Sequence, residues 1–197
     1  MNTLKAETRD MSTKAKKLRR EGYVTGVVFG KKLQESIPVK IAVKDAEQFL
    51  KTGGKGTQLM LNVDGEAMDV LLKEVDYNSM KHQIMEMDFQ ALVSNEKVHS
   101  VAEIVLHNHE MVVSGVLQQQ MEEISYRAYP ADLVEKVEID VSTLKVGDSI
   151  KVKDLEIAKN EKIDLLTDPD ATVVTVTEVH NSVPEPEAAD ENASENA

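Results

Sequence analysis

The sequence predicts a mainly β chain with a few short helices. A small barrel or rolled sheet comes first, then an all-β second domain, then a disordered acidic tail. Three observations carry this. β-branched and aliphatic residues gather in short runs bounded by Gly, Pro, Asn and Asp. Several of these runs alternate apolar with polar residues, the period of a half-buried strand. No long helical pattern is evident in the second half, where turns fall at the intervals of β-sandwiches and related folds.

In chain order, Leu4 to Thr8 reads as a first strand. Lys14-Ala15-Lys16-Lys17-Leu18-Arg19-Arg20-Glu21-Gly22 reads as a short helix. Ser12 or Thr13 is suited to cap its start, and Gly22 to end it in a left-handed conformation. Ala15 and Leu18 share a docking face, while Lys16 and Arg20 lie one turn apart with Lys14 and Lys17 nearby. Val24 to Gly30 reads as a buried strand, with Lys31 and Lys32 leaving it. Ile37, Val39, Ile41 and Val43 alternate, and Pro38 points to an edge strand. Asp45 is suited to cap a helix holding Ala46, Phe49 and Leu50. Gly53 to Gly56 forms a flexible loop. Leu59, Leu61 and Val63 alternate, and Asp64-Gly65 signals a two-residue hairpin into a strand from about Ala67 to Val75. Tyr77 to His82 is expected as a loop, and Ile84 to Phe89 as a strand.

Ser94 to Lys97 is the expected joint, with domains at 1–92 and 97–180. Strands are expected at Val98 to Leu106, Val112 to Leu117, Ile124 to Ala128, Val137 to Val141, Ile150 to Val152 and Ala171 to Val179. Pro130 to Val134 is the one helical candidate there. Residues 181–197 hold five acidic and no basic residues, too little apolar surface to order, and are expected to be a disordered tail.

Composition excludes some function classes. The 197 residues contain 41% hydrophobic but only 4% aromatic residues and no Trp, so the cores must rest on Val, Leu, Ile and Met. With no cysteine, disulfides and thiolate metal sites are excluded, and a reducing compartment is compatible. No stretch approaches the roughly 18 apolar residues of a membrane span, and no signal peptide is evident at the N-terminus. The net charge of −12 is unevenly distributed. Residues 1–32 hold nine Lys and Arg against three Asp and Glu, a local +6, whereas residues 92–197 hold eight against twenty-two, a local −14. The amino end is suited to a polyanion and the rest is not.

Rival motifs fall short. Gly53-Gly54-Lys55-Gly56-Thr57 lacks the Lys-Ser/Thr adjacency of a phosphate loop and follows a helix rather than a strand. His99, Glu103, His107 and His109 share parity on one strand, but four residues of strand span about 13 Å, too far for one ion. A solvated face accounts for them. No Gly-x-Ser-x-Gly elbow is present, and no enzyme, cofactor or metal is expected.

At this point the chain resembles a family. Ala6-Glu7-x-Arg9, then Ala15 to Gly22, then Val27-Val28-Phe29-Gly30 looks like the opening of the CTC (general stress protein) family. These are the long, two-domain relatives of the bacterial large-subunit ribosomal protein that binds 5S rRNA. Gly115-Val116-Leu117-Gln118, Pro130-Ala131-Asp132-Leu133 and the long stretch Ile139 to Leu155 are similar to that family's second domain. The resemblance implies an N-terminal β-barrel that grips 5S rRNA through its minor groove in the cytoplasm. It also implies a C-terminal all-β domain among the large-subunit proteins of the central protuberance. The RNA-contacting positions it implies are Arg9, Lys16, Lys17, Arg19, Arg20, Phe29, Gly30, Lys81 and Asp88, and Lys14 of the same basic run is expected to join them. Departures from the family pattern are Thr25 and Gly26 for a Pro-Ala pair, Phe29 for a Tyr, Glu86 for a His, and a shortened Gly-rich piece before the helix. Glu86 adds repulsion toward phosphate. That acidity motivates a different expectation, a stress-associated protein–protein adaptor on the same fold with weakened RNA binding.

Overall fold

The computed structural model describes residues 2–31, 33–112 and 115–178. The expected tail at 181–197 lies outside the described residues, as do Lys32 and two positions of the expected strand at 112–117.

The first half closes on itself. Strands β1 (Asn2–Thr8), β2 (Tyr23–Phe29), β3 (Ile37–Ala42), β4 (Gln58–Val63), β5 (Glu66–Asn78) and β6 (Gln83–Ala91) form a barrel in the order β1-β3-β2-β6-β5-β4. The seam is divided along β1. Asn2 to Ala6 pair in parallel with β4, and Glu7 and Thr8 pair antiparallel with β3. The alternation explains the filling: Leu4, Val24, Val28, Val39, Ile41, Leu59, Leu61, Val70, Leu72, Met87 and Phe89 all point inward and are buried. Helix α2 (Val43–Leu50) packs Ala46 and Phe49 into the same core.

Several expectations need correction here. Pro38 does not mark an edge, because β3 pairs with β1 on one side and β2 on the other. Proline is tolerated because it sits at the second residue of β3, where the tie to β1 has thinned to the Arg9 N–H donating to the Pro38 carbonyl at 2.8 Å. Helix α1 (Ala15–Arg20) is capped by neither Ser12 nor Thr13; its N-cap is Lys14, without a side-chain bond. The Asp10 carboxylate accepts the Ser12 N–H at 2.8 Å and the Ser12 hydroxyl, so Ser12 is spent on a turn before the helix begins. Gly22 does end α1, at φ +88°. Asp45 lies in the first turn of α2, whose N-cap is Ala42. The Asp64-Gly65 hairpin has both φ positive, 51° and 100°, as a type I′ turn requires. Tyr77 and Asn78 continue β5 rather than entering a loop.

The second half has its own core. Strands β7 (Val98–His107), β8 (Val116–Gln119), β9 (Glu123–Ala128), β10 (Lys136–Asp140), β11 (Ser149–Lys151), β12 (Asp164–Leu165) and β13 (Thr172–Thr177) make two sheets, β10-β7-β9-β12 and β11-β13-β8. Ala102, Ile104, Ile124, Tyr126, Val137, Ile139, Ile157, Val173 and Val174 fill the space between them. The Tyr126 hydroxyl donates to the Val134 carbonyl and accepts the Val134 N–H, both at 2.8 Å. The helical candidate at 130–134 is a 3-10 turn at Pro130–Asp132. A one-turn helix α3 (Glu156–Lys159) and the two-residue β12 lack a sequence pattern long enough to announce them. The halves meet where Gly56, at φ +85°, lies so close to Val101 that an added Cβ would stand 2.1 Å from the Val101 carbonyl oxygen. Lys73 Nζ donates to the His99 carbonyl at 2.9 Å, and Lys55 pairs with Glu123 at 3.2 Å.

Candidate nucleic-acid interface

Helix α1 is only six residues long, too short to hold a direction by itself. Two contacts fix it. Leu18 is buried against the barrel. Arg19 reaches down to β6, where its Nε donates to the Met85 carbonyl at 3.1 Å and its Nη2 to the Thr25 hydroxyl at 3.4 Å. Thr25 in turn donates to the same Met85 carbonyl at 3.3 Å and is fully buried. Here Thr25, one of the three departures in β2, acts as a polar socket for the helix.

With Leu18 and Arg19 turned inward, Lys14, Lys16, Lys17 and Arg20 are exposed. Only Lys17 has a carboxylate nearby, Glu21 at 3.8 Å one turn on, and that pair is exposed and worth little. Among the described residues Lys14, Lys16 and Arg20 have no ion-pair partner, so their charge faces solvent. Arg9 is placed differently. Its Nη2 donates to the Thr13 carbonyl at 3.2 Å, and its Nε is buried with no partner among the described residues. It braces the turn that leads into α1.

The remaining expected positions divide by strand end. β2 and β6 run parallel, with Thr25 opposite Glu86, Val27 opposite Asp88 and Phe29 opposite Gln90. Lys81 sits in the β5–β6 turn, at the end of these strands where α1 enters, and is exposed. Phe29 and Gly30 lie at the other end of β2, about 13 Å along the strand from Thr25. An added Cβ at Gly30 would stand 2.9 Å from the Ala91 side chain, so this glycine serves packing at the strand end. The structure ties Arg9 to the turn before α1 through Thr13, and the end of α1 to β6 through the Arg19 socket. Lys81 lies at the Tyr23 end of β2, whereas Arg9, level with Pro38 and so with Val27, lies toward the Phe29–Gly30 end.

Beside the cations lies a feature that the linear sequence conceals. On the outer face Glu74 pairs with Asp88 and Asp76 with Glu86 across β5 and β6. The four carboxylates line a pocket of about 280 Å³, and none makes an ion pair among the described residues. One Asp88 oxygen is buried without a partner. Burial, reinforced by Glu74 opposite, pushes the Asp88 carboxyl above its ordinary value, against the pull of the Val27 N–H. The signal is a register: an irregularity between Leu72 and Glu74 brings the even-numbered carboxylates of β5 to face those of β6. Midway along the chain, His99 and His107 share the exposed face of β7, as expected of a solvated face, and only His109 does not join them. His99 accepts from Arg127 at 2.9 Å, His107 lies 3.5 Å from Glu138, and His109 has left the strand after Asn108 at φ 59°.

The chain has close counterparts. Residues 4–89 match the ribosomal L25p family, and residues 97–180 match the C-terminal domain of ribosomal protein TL5. It is 32% identical to the large ribosomal subunit protein bL25 of Caldicellulosiruptor bescii over 193 residues, 96% of each chain. It is 34% identical to the bL25 of Dictyoglomus thermophilum over 183 residues, 88% of this chain and 87% of the relative. It is 28% identical to that of a Thermoanaerobacter species over 164 residues, 82% of this chain and 81% of the relative. Matched from its first strand to beyond its last, and nearly end to end in its relatives, this chain belongs to the bL25 family of large ribosomal subunit proteins.

Proposed function

We propose that the chain binds 5S rRNA through the cationic face that α1 presents on the barrel. Family membership makes it a structural component of the large ribosomal subunit, working on the ribosome in the cytoplasm, and not an enzyme. The observation that carries the RNA reading is the orientation of α1. Leu18 and the Arg19 anchor turn Lys14, Lys16, Lys17 and Arg20 outward together. Paired RNA presents a wide, shallow minor groove with 2′-hydroxyls, read largely by shape and backbone, and a ridge of mobile cations on a rigid barrel suits it. In this reading Lys81 adds a phosphate contact at the same end, and Arg9 and Arg19 hold the ridge in place. Asp88 accepts from a base amino group, while Phe29 and Gly30 meet RNA that extends along β2. Residues 1–92 form the RNA-binding domain, and residues 97–180 face large-subunit proteins of the central protuberance.

The test is a gel-shift titration of 5S rRNA with the parent chain and with Lys17→Glu and Arg20→Glu variants. Charge reversal on the ridge lowers affinity at least ten-fold for each variant at low salt. Equal affinity would remove the ridge from the interface. The carboxylate pocket favours a second reading, a protein–protein adaptor whose hold on RNA is weak. Loss of the protein from large subunits sedimented through high salt, with its protein contacts kept, would select that reading.

A further inference from the structure

The second unit's four-stranded sheet ends in β10, and its register decides which backbone groups of β10 are used. Lys136 lies opposite Glu103 and Asp140 opposite His107, in parallel. Glu103 N–H donates to the Glu135 carbonyl at 3.0 Å, and Val141 N–H to the His107 carbonyl at 3.1 Å. Alternate residues of a parallel strand face its partner, so Val137 and Ile139 turn their backbone groups to β7. Lys136, Glu138 and Asp140 turn theirs outward. Among the described residues, no strand pairs with that side of β10.

Beside this edge runs a groove of about 610 Å³. Its floor is apolar, formed by Val137, Ile157 and Ile163, and α3 makes the facing wall. Glu138 and Glu156 stand on its two sides with one cation, Lys136. The surrounding unit is acidic: residues 97–178 hold eight Lys and Arg against sixteen Asp and Glu.

We propose that this groove takes an extended, basic segment of another protein, which adds to β10 as a strand. A free strand edge supplies main-chain hydrogen bonds, and an apolar floor beside it takes alternate side chains. The charge balance selects the partner. Cationic side chains meet Glu138 and Glu156, whereas a phosphate backbone would meet net repulsion. A second copy is disfavoured, since antiparallel self-pairing centred on Glu138 sets Glu138 against its own counterpart.

The test uses the full chain, ¹⁵N-labelled, and a synthetic capped peptide of alternating Lys and Val. The amides of Glu138 and Asp140 shift and exchange more slowly on titration, while those of Val137 and Ile139 stay as they were. Glu138→Pro removes an outward N–H that β7 does not use, and lowers affinity by about ten-fold, the worth of one to two hydrogen bonds. Glu138→Lys with Glu156→Lys turns the preference to a peptide of alternating Glu and Val. Binding that leaves the Glu138 and Asp140 amides unprotected, or equal binding by the variants, overturns the proposal. Edge protection that depends on protein concentration without peptide assigns the edge to a second copy and overturns it too.

Discussion

Neutralising two exposed cations of α1 tests the ridge quantitatively. Lys14, Lys16, Lys17 and Arg20 face solvent, so four phosphates is the count that the helix supports. At about 0.9 counterions released per phosphate, the log–log dependence of affinity on salt has a slope near −3.6 from this helix. Raising KCl from about 50 to about 200 mM then costs on the order of 150-fold in affinity. Lys16→Gln with Arg20→Gln halves the count, giving a slope near −1.8 and a loss of on the order of ten-fold over the same range. Arg19→Gln is the internal contrast. Its guanidinium is occupied by Met85 and Thr25, so its loss lowers the melting temperature while the slope changes by less than about one. Fluorescence anisotropy of labelled 5S rRNA across a salt series reads all three proteins, with circular dichroism as the check on folding. A double variant whose slope matches the parent's would refute the ridge as the phosphate-binding surface, even if its affinity fell.

Other outcomes follow from the same structure. Gly26→Ala sets a Cβ 2.1 Å from the Met87 carbonyl oxygen, between two paired strands, and destabilises the barrel by at least about 2 kcal/mol in urea unfolding. Tyr126→Phe strands the Val134 N–H and carbonyl and costs about 1–3 kcal/mol, seen in the second core's transition. Asp88 has a raised carboxyl pKa, so its contribution to stability is full below the ordinary value of 3.8 and is lost as pH climbs through the raised one. Asp88→Asn therefore gains on the parent toward neutral pH and loses that advantage below about pH 3.8; a difference that ignores pH would contradict this. Glu86→Gln lightens the carboxylate pocket and raises 5S rRNA affinity about two- to five-fold, as expected for one charge near a phosphate in a watery dielectric.

Most strands were legible because their side chains alternate, and the barrel's inward set follows that alternation from Leu4 to Phe89. The Asp64-Gly65 turn and the Gly22 stop were legible because each needs a positive φ. Capping was misread where an equally good local rival existed: Asp10 captured Ser12 before it could cap α1. Pro38 was misread because an edge is defined by neighbours, and closure of the barrel supplies them on both sides. In the candidate site the cationic run was plain in one dimension, but its direction was not, since Met85 and Thr25 lie 66 and 6 residues from Arg19. The facing carboxylates were hidden for the same reason: each pair joins residues ten or more positions apart through a strand register with an irregularity.

The ties of the barrel also order its birth at the tunnel exit. The first strand emerges early but has no partner until residues 37–42 and 58–63 follow it, and β2, which also pairs with residues 37–42, waits for residues 83–91 to cover its other side. The helix made among the first twenty residues gains its anchor only when Met85 arrives. A nascent chain arrested before that residue would carry its positive charges on an unsteered segment, and competence for RNA would switch on with the sixth strand rather than accumulate residue by residue.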